Sequence, residues 1–268
     1  MSPAQGCLPD AIRPDWPAVP GVRALMSTRL GGVSQAPFDS LNLRPPGLPG
    51  GDPDRPEHVL ENQRRFAQAL QAQPVWLEQV HGCAVVRLGR EHANAGQPFP
   101  QADAAITTEP GVACTVMVAD CLPVLFASRD GRVVGAAHAG WRGLAGGVLE
   151  ATVAAMARAA DVVPADLQAW LGPCIGPQAF EVGADVLRGF GVAALSADQL
   201  HFAFRPRPDG SPRWLADLTG LARARLQGVG VGAVSGGQWC TVSDALRFFS
   251  FRRDGRTGRM AAAIALGA

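Results

Sequence analysis

The sequence predicts an α+β fold with mixed β-sheets. Apolar, β-branched runs that are typical of strands occur along the chain. Helical patterns lie between them without the regular βαβ alternation of a parallel α/β fold. Of the 268 residues, 47% are hydrophobic and 18% are charged, a balance typical of a globular protein and not of a disordered chain. This length accommodates one large domain or two smaller ones.

Each predicted element rests on a local pattern. Residues 44–56 are rich in Pro and Gly and predict a loop, after which Asp54 and Glu57 have the spacing of a capping box. The capping box predicts a helix through about Gln71. Residues 75–88 alternate like a strand that is interrupted at 79–82. Further strands are predicted at 112–119, 122–127, 132–139, 248–253 and 260–266, and further helices at 143–160 and within 212–227.

The composition excludes several kinds of chemistry. All 24 cationic side chains are arginine and there is no tyrosine, which excludes a Schiff-base lysine, a P-loop lysine and a tyrosine general acid. A net charge of +1 gives no basic footprint for nucleic acid or an anionic membrane, and no apolar run reaches bilayer length. Residues 1–20 lack the pattern of a signal peptide, so we expect a cytoplasmic protein. The six cysteines form no C-x-x-C pair, and no disulfide framework is expected.

Asp130-Gly131 is a strong signal for a two-residue β-hairpin. In such a hairpin position 123 faces His138, and Cys121, two residues away, points to the same face of the sheet. Cys121 and His138 are therefore diagonal neighbours, roughly 7–8 Å apart at the backbone. A thiolate and an imidazole placed in this way either bind zinc or form a nucleophile–base pair. The alternative is a buried cysteine beside an unrelated core histidine.

His81 lies at the interruption of a strand-like run and matters for function only as a third ligand. Cys83 competes for this role, because side chains two residues apart on a strand point to the same face. His138 precedes a strand-to-helix junction at 139–143, where backbone N–H groups and Arg142 could hold an anion. The alternative there is an ordinary helix start with a solvated arginine.

Several motifs occur in a fixed order along nearly the whole chain. They are STRLGGVS at 27–34, LNLR at 41–44, QVHG at 79–82, ADAAIT at 102–107, VADCLPVLF at 118–126, GAAHAGWRGLAGGVLEATV at 135–153, LGPCIGP at 171–177 and FFSFRRDGRTGRMAAAIAL at 248–266. Together they resemble the bacterial laccase-domain family, whose members are often labelled polyphenol oxidase or YfiH-like. The resemblance implies a single domain over residues 1–268, with helices flanking the mixed sheets.

The resemblance also implies a catalytic centre with one zinc ion per chain, bound by His81, Cys121 and His138. The implied activity is phosphorolysis of purine nucleosides (adenosine, inosine, guanosine and methylthioadenosine) to the free base and ribose 1-phosphate, with adenosine deamination in addition. Purine nucleosides and phosphate are therefore the expected partners.

The family's phosphate-binding arginine lies at an Asn-Arg step in the helix before QVHG. Here the step reads Asn62-Gln63-Arg64, so Arg64 is the nearest candidate, with Asn62 beside it. From the two N-terminal motifs, Arg29 and Asn42 are expected to line the same pocket.

Three protein ligands leave one zinc position open, as in catalytic sites, whereas structural zinc usually takes four. Copper is not expected, because multicopper oxidases need repeated His-x-His pairs and this chain has five histidines and no such pair. A second enzyme class remains open: a cysteine hydrolase or amidase acting on cell-wall precursors, with Cys121 as nucleophile and His138 as base. The non-enzymatic alternative is a zinc-stabilised binding module.

Overall fold

The chain folds around two large β-sheets and a smaller third sheet. The computed structural model describes residues 8, 10–50, 53–94 and 96–267. Its strands are β1 Val22–Met26, β2 Gln73–Val75, β3 Val85–Arg87, β4 Ala104–Thr107, β5 Val112–Val118, β6 Leu122–Ser128, β7 Val134–Ala139, β8 Leu167–Leu171, β9 Glu181–Val182, β10 Phe202–Phe204, β11 Trp214–Ala216, β12 Ala233–Gly236 and β13 Met260–Leu266. Its α-helices are α1 Pro56–Leu70, α2 Trp141–Gly146, α3 Val148–Ala160, α4 Ala184–Gly189, α5 Leu218–Gly228 and α6 Phe251–Asp254.

Both large sheets are mixed. One has six strands in the order β12-β8-β6-β7-β4-β3, and the other has four in the order β1-β13-β5-β2. Parallel pairs join β2 to β5, β3 to β4 and β12 to β8, whereas the remaining neighbours are antiparallel. The third sheet, β10-β11-β9, is antiparallel throughout. The predicted α+β fold with mixed sheets is confirmed.

The two large sheets pack face to face. Strands β5, β6, β7 and β13 are buried along their whole length, which explains why their sequences are continuously apolar and do not alternate. Val116, Leu125 and Ile264 belong to the core between the sheets. On the outer faces, Met156 of α3 packs on the six-stranded sheet and Phe66 of α1 packs on the four-stranded sheet. Burial of each such side chain stabilises the fold by roughly 2 kcal/mol.

The β6–β7 hairpin has the register that its turn predicts, with Pro123 facing His138. The connection spans residues 129–132, because the backbone N–H of Ser128 donates to the carbonyl of Val133 at 3.0 Å. This loop is longer than the two-residue turn expected from the sequence. It is still centred on Asp130-Gly131, and the register is therefore unchanged.

Helix α1 occupies the predicted position, but the prediction of a capping box at its start is wrong. The N-cap residue is Arg55, and its side chain makes no capping hydrogen bond. The Asp54 carboxylate instead accepts hydrogen bonds from Ser34 Oγ at 2.6 Å and Asn42 Nδ2 at 3.1 Å. Tertiary contacts with the N-terminal loop thus replace the local cap.

The structure also corrects two further predictions of secondary structure. The single helix expected at 143–160 is divided into α2 and α3, because Gly147 adopts a left-handed φ of 98°. Residues 248–253 do not form the expected strand. Phe248 and Phe249 are fully buried, and the chain then turns into α6, where Ser250 Oγ accepts from the N–H of Arg253.

The strand-like run at 75–88 is interrupted more widely than expected, over residues 76–84. The N–H groups of Val80, His81 and Gly82 bind the Asp103 side chain, so a neighbouring strand cannot pair with them. Only the two ends of the run, in β2 and β3, are strands.

The described residues contain no helix with the length and apolar character required to cross a membrane. The thiols of Cys83, Cys114, Cys121, Cys174 and Cys240 are free. Cys7 lies outside the described residues.

Gly147→Ala should destabilise the protein, because a residue with a Cβ adopts a φ of 98° only with strain. We expect the free energy of unfolding to fall by roughly 1–3 kcal/mol, measured by urea denaturation. Gly228→Ala is the control, since a Cβ at Gly228 meets no heavy atom within 4 Å. Equal effects of the two substitutions would contradict this role for Gly147.

Candidate functional site

The side chains of His81, Cys121 and His138 converge where the central strands of the six-stranded sheet, β6 and β7, begin and end. Their ligand atoms all lie within 4.8 Å of one another. Cys121 Sγ is 3.9 Å from His81 Nε2, and the two imidazole rings meet edge to face with centroids 4.8 Å apart. The three residues that the sequence singled out are therefore brought together in a group able to hold a metal ion.

Each of the three side chains is placed by a different backbone feature. Cys121 directly precedes β6 and follows Asp120, whose φ is 97°. His138 is the penultimate residue of β7, the neighbouring strand. His81 lies in the loop between β2 and β3 with a φ of 62°. The hairpin alone brings Cys121 close to His138, whereas His81 arrives by a long-range loop contact.

Asp103 fixes that loop and was not identified from the sequence. Its fully buried carboxylate accepts hydrogen bonds from the backbone N–H groups of Val80, His81 and Gly82 at 3.2, 2.9 and 2.7 Å. It also bonds His138 Nδ1 at 2.8 Å. Such a carboxylate orients the imidazole and leaves Nε2 as its donor to a metal.

The sequence signals for Asp103 are its place in the ADAAIT motif and its position directly before the apolar strand β4. Its partners His81 and His138 lie 22 and 35 residues away, and no local pattern indicates them. Burial raises the pKa of Asp103, but the hydrogen bonds from His138 and from the N–H of Gly82 outweigh it and lower the pKa below its usual value. The carboxylate is charged at neutral pH.

Electrostatic interactions favour the thiolate form of Cys121. Burial raises the pKa of this thiol, but His138 and His81 outweigh that effect and lower the pKa to about 6. Burial lowers the pKa of His138, but Cys121 and Asp103 raise it to about 9. A thiolate with two imidazoles suits zinc, and the same donors also suit copper. The donor set therefore fits a single transition-metal ion.

Gly140 in the HAGW segment permits this close packing. A Cβ at that position would lie 3.0 Å from both Cys121 Sγ and His81 Cδ2. Cys83, the competing ligand, is directed elsewhere, since its Sγ lies 3.5 Å from the carbonyl oxygen of Gly143 in α2. The lack of a side chain at Gly140 thus allows the ligand group to pack closely.

The His–Cys–His group opens into a cavity of about 320 Å³. Its walls combine apolar side chains, the three candidate ligands and two arginines. The described lining residues are Arg44, Leu48, Pro49, Leu77, Glu78, Gln79, His81, Met117, Val118, Ala119, Cys121, His138, Phe251 and Arg259. A polar centre is thus placed at the wall of a half-enclosed, largely apolar space, as in many small-molecule sites.

Arg44 and Arg259 give this cavity a positive wall. Within the described residues neither makes an ion pair with a carboxylate; Arg44 donates to loop carbonyls such as that of Pro49 at 2.7 Å, and Arg259 donates to Thr257 O at 3.0 Å. Burial lowers the pKa of Arg259, and the positive charge of Arg44 lowers it further. Two neighbouring arginines that make no direct ion pair among the described residues form a favourable place for an anion.

Asn42 positions both arginines. Its side-chain oxygen accepts hydrogen bonds from the backbone N–H groups of Arg44 at 3.3 Å and Arg259 at 2.9 Å. Asn62 supports Asn42 from α1, since its Nδ2 donates to the Asn42 carbonyl at 3.0 Å. Both asparagines are buried. They therefore act from behind the cavity wall. Asn42 does not line the cavity, although the sequence predicted that it would.

Arg64 is not brought to this cavity. It is exposed on α1 and pairs with Glu61 at 2.7 Å, beside a separate surface groove that Trp76 also lines. The expectation that Arg64 is the phosphate-binding arginine of this pocket does not fit the structure, because the helix turns its Asn62 face inward and its Arg64 face to solvent.

Arg29 and Arg142 also lie outside the lining of the cavity. The Arg29 side chain bonds Asp39 at 3.1 Å and stacks 4.9 Å from the ring centroid of Phe249. Arg142 is exposed and stacks on Trp141 at 4.3 Å. The contacts of these two guanidinium groups, a hydrogen bond and cation–π stacking, thus lie outside the cavity.

Fold and site together define an α+β protein with a candidate mononuclear His–Cys–His centre at the wall of an arginine-lined cavity. The family described as multi-copper polyphenol oxidoreductase laccase matches residues 23–267, and the chain belongs to this family. The chain is 51% identical over 255 residues to a purine nucleoside phosphorylase of Pseudomonas aeruginosa, covering 94% of this chain and 97% of that protein. It is 49% identical over 257 residues to purine nucleoside phosphorylase YfiH of Escherichia coli K12, with the same coverage of 94% and 97%.

Two crystal structures share the fold. A Neisseria meningitidis protein superimposes with a TM-score of 0.82 at 45% identity, covering 97% of this chain and 100% of that one. YlmD of Geobacillus stearothermophilus superimposes with a TM-score of 0.84 at 30% identity, covering 100% and 98%. The resemblance to the laccase-domain, YfiH-like family is confirmed.

Asp103→Asn should weaken metal binding while leaving the fold intact, because the amide keeps the size of the side chain but loses its charge. We expect the dissociation constant for zinc to rise roughly 10- to 100-fold, measured by competition with a chromogenic chelator. Asp161→Asn, at the exposed C-terminal end of α3, is the matched control. Unchanged zinc affinity in Asp103→Asn would argue against this role.

In the metal-free protein, Cys121 should react with iodoacetamide at a rate that is half-maximal near pH 6. The lowered pKa means that the thiolate forms as the pH rises through this value, and the thiolate is the reactive species. Mass spectrometry of the labelled peptides resolves each cysteine, and Cys83, whose pKa burial raises, is the internal control. A midpoint for Cys121 above about pH 8, where an ordinary thiol titrates, would contradict the assignment.

Proposed function

We propose that this chain is a zinc-dependent purine nucleoside phosphorylase, which converts a purine nucleoside and phosphate to the free base and ribose 1-phosphate. One observation carries the proposal: a His–Cys–His group and two arginines without carboxylate partners line the same cavity. Relatives about half identical to this chain are named purine nucleoside phosphorylases. The proposed substrates are adenosine, inosine, guanosine and methylthioadenosine.

Phosphorolysis requires phosphate to be held against C1′ of the ribose while its charge is neutralised. We assign this task to Arg44 and Arg259. Their guanidinium groups lie at the cavity wall, and Asn42 holds both backbones in place. Arg64, the candidate from the sequence, is replaced in this role because it faces solvent.

We propose His81, Cys121 and His138 as the zinc ligands. Bound there, zinc would supply a Lewis acid at the cavity wall. Asp103 holds the His81 loop and the His138 ring in position, and apolar side chains such as Leu77 and Met117 limit the water around the reacting groups. A zinc ion with three protein ligands would have one position open to water, which supports adenosine deamination as a second activity.

A cysteine hydrolase remains the second candidate, with Cys121 as nucleophile and His138 as base. The thiolate–imidazolium pair implied by the opposite shifts in the two pKa values favours it. His81 argues for a metal instead, since a hydrolase dyad needs no second imidazole 3.9 Å from the nucleophilic sulfur. Copper chemistry is less well supported, because the chain lacks the repeated His-x-His pairs of multicopper oxidases.

Product analysis of purified protein of known metal content tests the proposal. With adenosine, we expect adenine and ribose 1-phosphate only when phosphate is present, and inosine in either condition. Cys121→Ala should lose zinc and both activities while its circular dichroism is unchanged. Full activity in the presence of chelator would favour the cysteine hydrolase, the absence of both products would favour a binding module, and about one zinc per chain in Cys121→Ala would contradict the ligand assignment.

Arg259→Gln should raise the KM for phosphate at least about tenfold, because hydrogen bonds to a charged group are worth roughly 1.5–3 kcal/mol. Phosphate-independent deamination should be unaffected. Arg64→Gln removes the same charge from an exposed position on α1 and should leave both steady-state constants unchanged. A larger effect of Arg64→Gln than of Arg259→Gln would overturn the assignment.

A further inference from the structure

Phe251 is an exposed aromatic side chain at the cavity. It retains 57% of its accessible surface and lines the same space as the His–Cys–His group. Its sequence neighbours Phe248 and Phe249 are fully buried. The FFSF segment thus places two rings in the core and presents the last one to the cavity.

The backbone under Phe251 is held firmly. Arg253 donates to the carbonyl oxygens of Thr241 at 2.7 Å and Phe248 at 2.9 Å, which fastens α6 to the preceding loop. The N–H of Arg252 donates to Asp120 Oδ2 at 2.6 Å. Because Asp120 is the residue before Cys121, the support of the Phe251 ring is tied directly to the ligand group.

The surroundings of the ring suit a flat heterocycle. The guanidinium carbon of Arg259 lies over the Phe251 ring, 6.0 Å from its centroid, so a planar ligand that stacks on the exposed part of the ring lies against the positive wall of the cavity. Among the described residues that line the cavity, no other phenylalanine or tryptophan is present. The two histidine rings there are candidate metal ligands and are oriented by that role.

We propose that Phe251 is the platform on which the nucleobase stacks, an inference that rests on the proposed nucleoside activity and assigns its base-binding residue. An exposed aromatic ring is stabilised when a base covers it, and stacking of this kind tolerates different bases because every base has a π-face. The two-ring purines cover more of the phenyl face than pyrimidines do. Arg44 and Arg259 remain free to bind the anion.

The test is a titration of the zinc-loaded protein with 2-aminopurine riboside in the absence of phosphate. The fluorescence of this nucleoside is quenched when its base stacks on an aromatic ring, so binding is read without turnover. Phe251→Leu removes the π-face and keeps an apolar side chain, whereas Phe251→Trp enlarges the face. Leu246→Ala is the control, because Leu246 is 83% exposed and lies outside the cavity lining.

We expect the dissociation constant to rise about tenfold in Phe251→Leu, with the quenching reduced, and to be unchanged or lower in Phe251→Trp. Zinc content and melting temperature should match the wild type in all three variants. Wild-type affinity and quenching in Phe251→Leu would overturn the inference, even if the enzyme is a phosphorylase. If the wild type binds the probe but forms no product with phosphate, loss of binding in Phe251→Leu would support the stacking role and refute the proposed activity.

Discussion

The buried carboxylate of Asp103 lies between the loop that carries His81 and the strand that carries His138. It accepts hydrogen bonds from three consecutive backbone N–H groups of the loop and from the His138 ring. A buried carboxylate without such partners would carry a large desolvation cost. Here the partners compensate for burial, and the same hydrogen bonds position the His81 backbone and orient the His138 ring. The rest of the site depends on this arrangement, because the hairpin by itself brings only Cys121 and His138 together.

A second buried network performs a corresponding task for the basic wall of the cavity. Asn62 bonds the carbonyl of Asn42, and the Asn42 side chain bonds the backbones of Arg44 and Arg259. The guanidinium groups themselves are held by backbone carbonyl oxygens and not by carboxylates. A neutral scaffold therefore positions two charges without neutralising them. An exposed ion pair such as Arg64–Glu61 contributes little to stability because solvent screens it, and it leaves its arginine committed to a carboxylate.

The ligand group and the basic wall are linked through Asp120 and the segment that follows β12. Asp120 binds Thr241 Oγ1 at 2.5 Å and the N–H of Arg252 at 2.6 Å. These two hydrogen bonds therefore join the loop before Cys121 to the segment that leads to Arg259. For the proposed phosphorolysis, which would need a metal, an anion and a planar base in fixed relative positions, this connection supplies preorganisation.

Much of the fold and part of the site follow from local patterns. The Asp130-Gly131 turn is enough to place Cys121 near His138, because the turn of a hairpin sets which residues face each other across its strands. The continuous apolar runs correctly indicate β5, β6, β7 and β13. His81 was added through the family resemblance, and the single-domain organisation stays a prediction.

The residues that hold and complete the site depended on contacts between distant parts of the chain. Asn42 and Arg259 are 217 residues apart, and no short pattern connects them. Helix periodicity near Asn62 and Arg64 could not tell which of the two faces inward, since that depends on how α1 packs on the sheet. Asp103 was not identified and Asp54 was wrongly assigned to a helix cap for the same reason: a carboxylate is stabilised by whichever donors the tertiary fold brings to it, and those donors are not its neighbours in sequence.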